Sequence, residues 1–280
     1  AANLSRANRM VLDEGYIRAR QQLFRDLIAG IRERDPQALE ALFAFDLQNE
    51  CCFSVDGPFA EEGGTVALPD GRTFSLPEQR EELADAAAVL WVDRMSEAIH
   101  EAFPGVPVAA SIFTYRAVGR TGPGDFRRFG AAWKNRYPFR PLALTRSAAD
   151  IIDIHLYSDT PEGLAADLES VEFEALKAAA DSTGKALFCG EYGVHQRPPH
   201  EILEAATEWA GALSRRIGAA GFQGGLYWTY DCTEQEGLWH ATDGDDAILD
   251  RLTSRNDGYP RLLFRPNQRV ALQRRWHDPR

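Results

Sequence analysis

The chain has 280 residues, with 31 Lys and Arg against 42 Asp and Glu, a formal net charge of −11 and a pI near 5.1. A nucleic-acid partner is excluded as the main theme, because it calls for clustered basic residues with interleaved aromatics and the chain has none. Hydrophobic residues at 44% and aromatics at 10% describe a globular protein and not a disordered one. No run approaches the ~18 apolar residues of a membrane span, so no membrane partner is expected. Cys51, Cys52, Cys189 and Cys232 form no CxxC pair and no disulfide framework. Free thiols suit a reducing, cytoplasmic setting, while an export signal upstream of Ala1 stays open.

In chain order, Tyr16, Ile17, Leu23, Phe24, Leu27, Ile28 and Ile31 recur at helical spacing, predicting an amphipathic helix from about Glu14 to Arg34. A short helical piece follows Pro36, and the apolar run from Leu42 to Leu47 has the length of a strand. Residues 51–76 are rich in Gly, Pro and acids and read as a long inserted loop, with a small hairpin around Asp70-Gly71. A helix from Pro77 to about Phe103 buries Leu83, Leu90, Trp91, Met95 and Ile99, and a second apolar run spans Val106 to Phe113. After a Gly-rich, basic loop (119–140) come a strand at 151–157, a helix near 164–183, a strand at 186–189, a helix near 200–219, a strand at 225–230 and a short helix near 244–254. Short, doubly buried strands alternating with amphipathic helices are the pattern of parallel βα units. No GxGxxG follows the first strand, which disfavours a dinucleotide fold.

In βα barrels the residues at the carboxyl ends of strands line the site. Alternation puts Asp46, Gln48 and Glu50 on one face of the first strand, and Asp153, His155 and Tyr157 on one face of the third. Glu191 follows Gly190 at the end of the fourth strand, and Tyr227 to Tyr230 bring aromatic rings to the fifth. Two glutamates at separate strand ends, flanked by an amide, an imidazole, phenols and an indole, fit glycoside cleavage. One carboxyl protonates the leaving oxygen and the other attacks the anomeric carbon.

The segments Phe45-Asp46-Leu47-Gln48-Asn49-Glu50, Asp153-Ile154-His155-Leu156-Tyr157, Cys189-Gly190-Glu191-Tyr192-Gly193 and Leu226-Tyr227-Trp228-Thr229 resemble strands four, six, seven and eight of clan A glycoside hydrolases. Family five, the cellulase and mannanase family, is the most similar. The resemblance implies an α/β fold of the (β/α)8 TIM-barrel type, with 1–280 as a single catalytic domain. Only the carboxyl-terminal five βα units are present, because about 40 residues precede the Asn-Glu strand and each unit needs roughly 30. It further implies a retaining hydrolase of β-linked glucan, mannan or related oligo- and polysaccharides, with Glu50 as acid/base and Glu191 as nucleophile. Asn49 would bind the sugar 2-hydroxyl, His155 would meet the substrate or the acid/base, Tyr157 would orient Glu191, and Trp228 would floor the cleaved sugar. No cofactor or metal is implied, and another chain or segment would complete the barrel.

Trp239, near Glu234 and Glu236, is a candidate outer-subsite contact, and Trp133 with Tyr137 sits in a loop that reads equally as rim or packing. His195 and His200, on either side of Pro198-Pro199, read as solvated loop residues near the rim. Two rival readings remain: a non-catalytic carbohydrate-binding protein, and a cysteine-nucleophile hydrolase using Cys51 or Cys189 with His155.

Overall fold

The computed structural model describes residues 4, 6–54, 56–59, 61–113, 136–232 and 236–254. These form two compact units, one running through Ile152 and the other starting at Asp153. The glycine-rich segment at 119–124, Trp133 and Glu234 lie outside the described residues.

The first unit holds helices α1 (Arg6–Leu12), α2 (Glu14–Arg34), α3 (Pro36–Ala41), α4 (Arg80–Ala102) and α5 (Pro141–Leu144). Its strands are β1 (Phe45–Asp46), β2 (Cys52–Ser54), β3 (Thr65–Ala67), β4 (Thr73–Ser75), β5 (Val108–Phe113) and β6 (Arg136–Pro138), followed by the opening residues of β7 (Ile151–His155). Asp13 starts α2 by accepting from the Gly15 and Tyr16 amides, and Asp35 caps α3 ahead of Pro36, both being acceptors for amides that a helix start leaves unpaired. Ile17, Gln21, Phe24 and Ile28 form the buried stripe of α2, whereas Tyr16, Leu23 and Leu27 of the same apolar pattern stay exposed. The apolar periodicity was therefore wider than the face that packs.

Residues 51–76 contain more order than a long loop. Strand β2 pairs antiparallel with β6, setting Phe53 opposite Tyr137, and β3 pairs with β4 around a turn at Gly71, whose φ of 89° suits glycine. Phe53 packs on Phe59 and Phe139, each with ring centroids 4.8 Å apart, and Phe139 meets the edge of Trp91. Tyr137 is fully buried in this cluster and is a packing residue. Arg140 clamps the start of α5 to α4 through Asp85 and Glu81. β1 runs parallel to β5, with Phe45 opposite Val108, and β7 follows β5 in the strand order. The Asp150 amide donates to the Val108 carbonyl as the chain enters β7.

The second unit continues β7 and adds α6 (Pro161–Leu168), α7 (Val171–Thr183), β8 (Ala186–Tyr192), α8 (Leu203–Ala219), β9 (Gly225–Tyr227) and α9 (Asp243–Thr253). Its strand order is β7-β8-β9. Leu156 pairs in parallel with Tyr192, and Cys189 with Gly225. The single helix expected near 164–183 is two, because Ser170 turns its hydroxyl onto the Phe173 amide and starts α7 afresh. Gly184, at φ 70°, closes α7 in the left-handed conformation. Gly211 lets α8 approach Arg251 of α9, since a Cβ there would lie 2.9 Å from the Arg251 Nε.

Candidate active site

In the first unit, Asn49 and Glu50 leave β1 in a tight turn; Asn49 is exposed and Glu50 half-buried. Glu50 has φ 54°, the left-handed region that non-glycine residues seldom enter. The turn is held from β5 by Ser111, which is fully buried. Its hydroxyl donates to the Gln48 carbonyl at 2.9 Å and accepts from the Glu50 amide at 3.1 Å, while its carbonyl accepts from the Cys51 amide at 2.7 Å. The Ser111 amide in turn donates to Asp46. Arg20 of α2 adds a bond to the Leu47 carbonyl at 2.8 Å. Sequence reasoning passed over Ser111, since it sits within an apolar run and nothing in its local pattern separates it from strand filling.

In the second unit, the ends of β7 and β8 bring His155, Tyr157 and Glu191 together. The Tyr157 hydroxyl donates to Glu191 Oε2 at 2.7 Å, and His155 Nδ1 lies 3.3 Å from the same oxygen. Burial pushes the Glu191 carboxyl up, but the His155 hydrogen bond and charge and the Tyr157 hydroxyl outweigh it and hold the group below its ordinary range. His155 is 2% exposed, and its Nε2 faces the Asp153 carboxylate at 3.9 Å. Asp153 also takes the Gly190 amide. A Cβ at position 190 would fall on that carboxylate, so glycine is required where β8 passes β7.

Trp228 is 37% exposed and follows β9; its amide donates to the Tyr192 carbonyl at 2.8 Å, and its peptide bond to Thr229 is cis. Gly193 leaves room for the Trp228 carbonyl. Trp239 is half-buried, and its indole N–H is taken by the His200 carbonyl at 2.7 Å. The Tyr227 hydroxyl donates to the Trp239 carbonyl at 2.8 Å. His200 is buried, stacked on Trp209 and bonded through Nε2 to the Asp159 carbonyl, so it is a packing residue and not a solvated one.

The surroundings of the two thiols disfavour the cysteine reading. Burial, reinforced by Asp46, pushes the Cys51 thiol well up, and burial reinforced by Asp153 does the same to Cys189. The thiolate, which is the nucleophilic form, is thereby disfavoured at both positions.

Neither a protein-family model nor a curated protein matches this sequence. Solved structures do match. A GH5_18 protein from Streptomyces cattleya, in complex with Manβ1-4GlcNAc, superposes with a TM-score of 0.51 over 90% of this chain and 58% of its own, at 17% identity. The hyperthermostable endo-1,4-β-D-mannanase from Thermotoga petrophila superposes with a TM-score of 0.50 over 86% of this chain and 65% of its own, at 18% identity. At that identity the likeness is one of fold, and the fold is a partial (β/α) barrel like theirs. The chain spans 58% and 65% of the lengths of these two proteins.

Proposed function

We propose that this protein is a retaining glycoside hydrolase acting on β-linked glucan, mannan or a related saccharide, and that its five strands correspond to strands four to eight of the barrel. The observation that carries the reading is the Glu191 carboxylate, which Tyr157 and His155 hold ionised at the end of β8. A carboxylate kept charged and oriented, with its second oxygen outside the Tyr157 bond, is suited to attack an anomeric carbon. Glu50 then protonates the leaving oxygen and afterwards deprotonates the water that releases the sugar. Asn49 takes the 2-hydroxyl, and Trp228 presents an apolar face to the sugar ring. His155 acts through Glu191, and Trp239 contributes an outer wall through its ring.

The test is hydrolysis of aryl β-glycosides and of β-glucan and β-mannan oligosaccharides by the parent chain, Glu50→Ala and Glu191→Ala. The reading expects turnover by the parent and a loss of several orders of magnitude in Glu191→Ala. Full activity in Glu191→Ala sinks it. A folded parent that binds saccharide without turnover favours the non-catalytic, carbohydrate-binding alternative, or a need for a further segment or chain.

A further inference from the structure

Beside Glu191, the second unit carries a side-chain arrangement that the catalytic reading does not use. His195 follows β8 and is pinned by its backbone, which bridges antiparallel to Leu238. Its Nδ1 lies 2.9 Å from Asp159 Oδ1, and its ring packs 5.8 Å from that of Tyr157, whose hydroxyl holds Glu191. Asp159 is built into place as well. Arg197 donates to its Oδ2 through Nε at 2.9 Å, and His200 bonds its backbone carbonyl at 2.8 Å. Burial pushes the Asp159 carboxyl up, and hydrogen bonds from His195 and Arg197 outweigh that and hold it ionised.

A carboxylate only accepts, so Nδ1 of His195 carries the proton and Nε2 is the nitrogen left over. No hydrogen bond from Nε2 is found among the described residues, and the side chain is 27% exposed. We propose that His195 Nε2, oriented by Asp159, is a specificity contact for a hydroxyl of the saccharide beside Glu191, an inference that rests on the catalytic reading above. A hydroxyl suits it in either protonation state, because it donates to a neutral imidazole and accepts from a charged one. An anionic ligand is the poorer fit, since the Arg197 guanidinium is already committed to Asp159.

The experiment titrates a β-mannan and a β-glucan tetrasaccharide calorimetrically into the parent, His195→Ala, His195→Gln and Asp159→Asn, with melting temperatures and, where turnover occurs, kcat and KM. One lost hydrogen bond predicts about 3- to 10-fold weaker binding in His195→Ala. KM should rise to match while kcat stays within about twofold, and His195→Gln should recover part of the loss. Asp159→Asn should fall between parent and His195→Ala, because it frees the ring to turn. Unchanged affinity in His195→Ala overturns the proposal, as does a loss that merely tracks a lowered melting temperature, or a fall in kcat with KM unchanged. Binding that depends on His195 in a chain without turnover leaves the contact standing and counts against hydrolysis by this chain on its own. A parent that binds neither tetrasaccharide overturns both.

Discussion

Glu191 has two donors competing for one oxygen, and the balance among them sets when it is charged. Removing the phenol in Tyr157→Phe deletes a charge-assisted hydrogen bond, an interaction of roughly 1.5–3 kcal/mol. The carboxyl of Glu191 should then titrate closer to its ordinary value. Because the folded group titrates below the unfolded one, its stabilisation is present above the unfolded value and lost as pH falls through the folded value. Tyr157→Phe should therefore flatten the acid side of the stability profile and move the acid limb of kcat/KM upward in pH. Urea melts and pH-rate profiles of the two chains check this, and coincident acid limbs would contradict it. At this scale the sequence was informative about Glu191, His155 and Tyr157, because strand alternation alone puts the latter two on one face. It was silent on Asp159, whose partners His195 and Arg197 are 36 and 38 residues away.

Elements place these residues, and the β1–β5 pair shows how. Strand β1 is only two residues long, so the turn that carries Asn49 and Glu50 depends on its neighbour, and Ser111 is the point of attachment. Ser111→Ala removes that hydroxyl from the half-buried Gln48 carbonyl and Glu50 amide, at a cost of about 1 kcal/mol for the hydrogen bonds lost. If Glu50 is the acid/base, the same change should lower kcat about tenfold or more with KM little altered, and Ser111→Thr, which keeps a hydroxyl, should restore part of it. Equal kcat in Ser111→Ala and the parent would detach the turn from catalysis.

The far end of β5 offers a test by pH. Its hydrogen bond and ion pair with Asp150 raise the titration of His100, against the opposing effect of burial. The contribution is complete below the unfolded histidine value of ~6.5 and is lost as pH rises through the folded one. The pair is partly exposed, so the effect is about 1 kcal/mol or less. Chemical denaturation of the parent should show a small decline across that window, and His100→Gln should remove it; an identical decline in His100→Gln would assign it elsewhere.

The long helices α2, α4 and α8 were legible because their apolar periodicity survives over many turns. The β2–β6 pairing was not, since its partners are separated by a glycine-rich stretch and pair through backbone groups that carry no residue-type signature. The break between α6 and α7 had a signal, Ser170 followed by Glu172 and Glu174, which continuous apolar spacing masked.

For the whole molecule, alternating strands and helices together with four short motifs pointed to one fold, and solved structures at 17% and 18% identity share it. Fold and chemistry are separable claims, because one barrel scaffold carries many reactions and the site decides among them. The net charge of −11 fits an uncharged ligand better than an anionic one. Retaining cleavage of a glycoside needs an ionised nucleophile at a strand end, and Glu191 is the group proposed for it. The most direct measurement adds sodium azide to Glu191→Ala with an activated aryl β-glycoside that the parent cleaves. The account predicts a large loss of activity without azide, recovery with it, and a glycosyl azide of inverted, α configuration, against a β product from the parent. Undiminished hydrolysis in Glu191→Ala, or an α sugar as the first product of the parent, would contradict it.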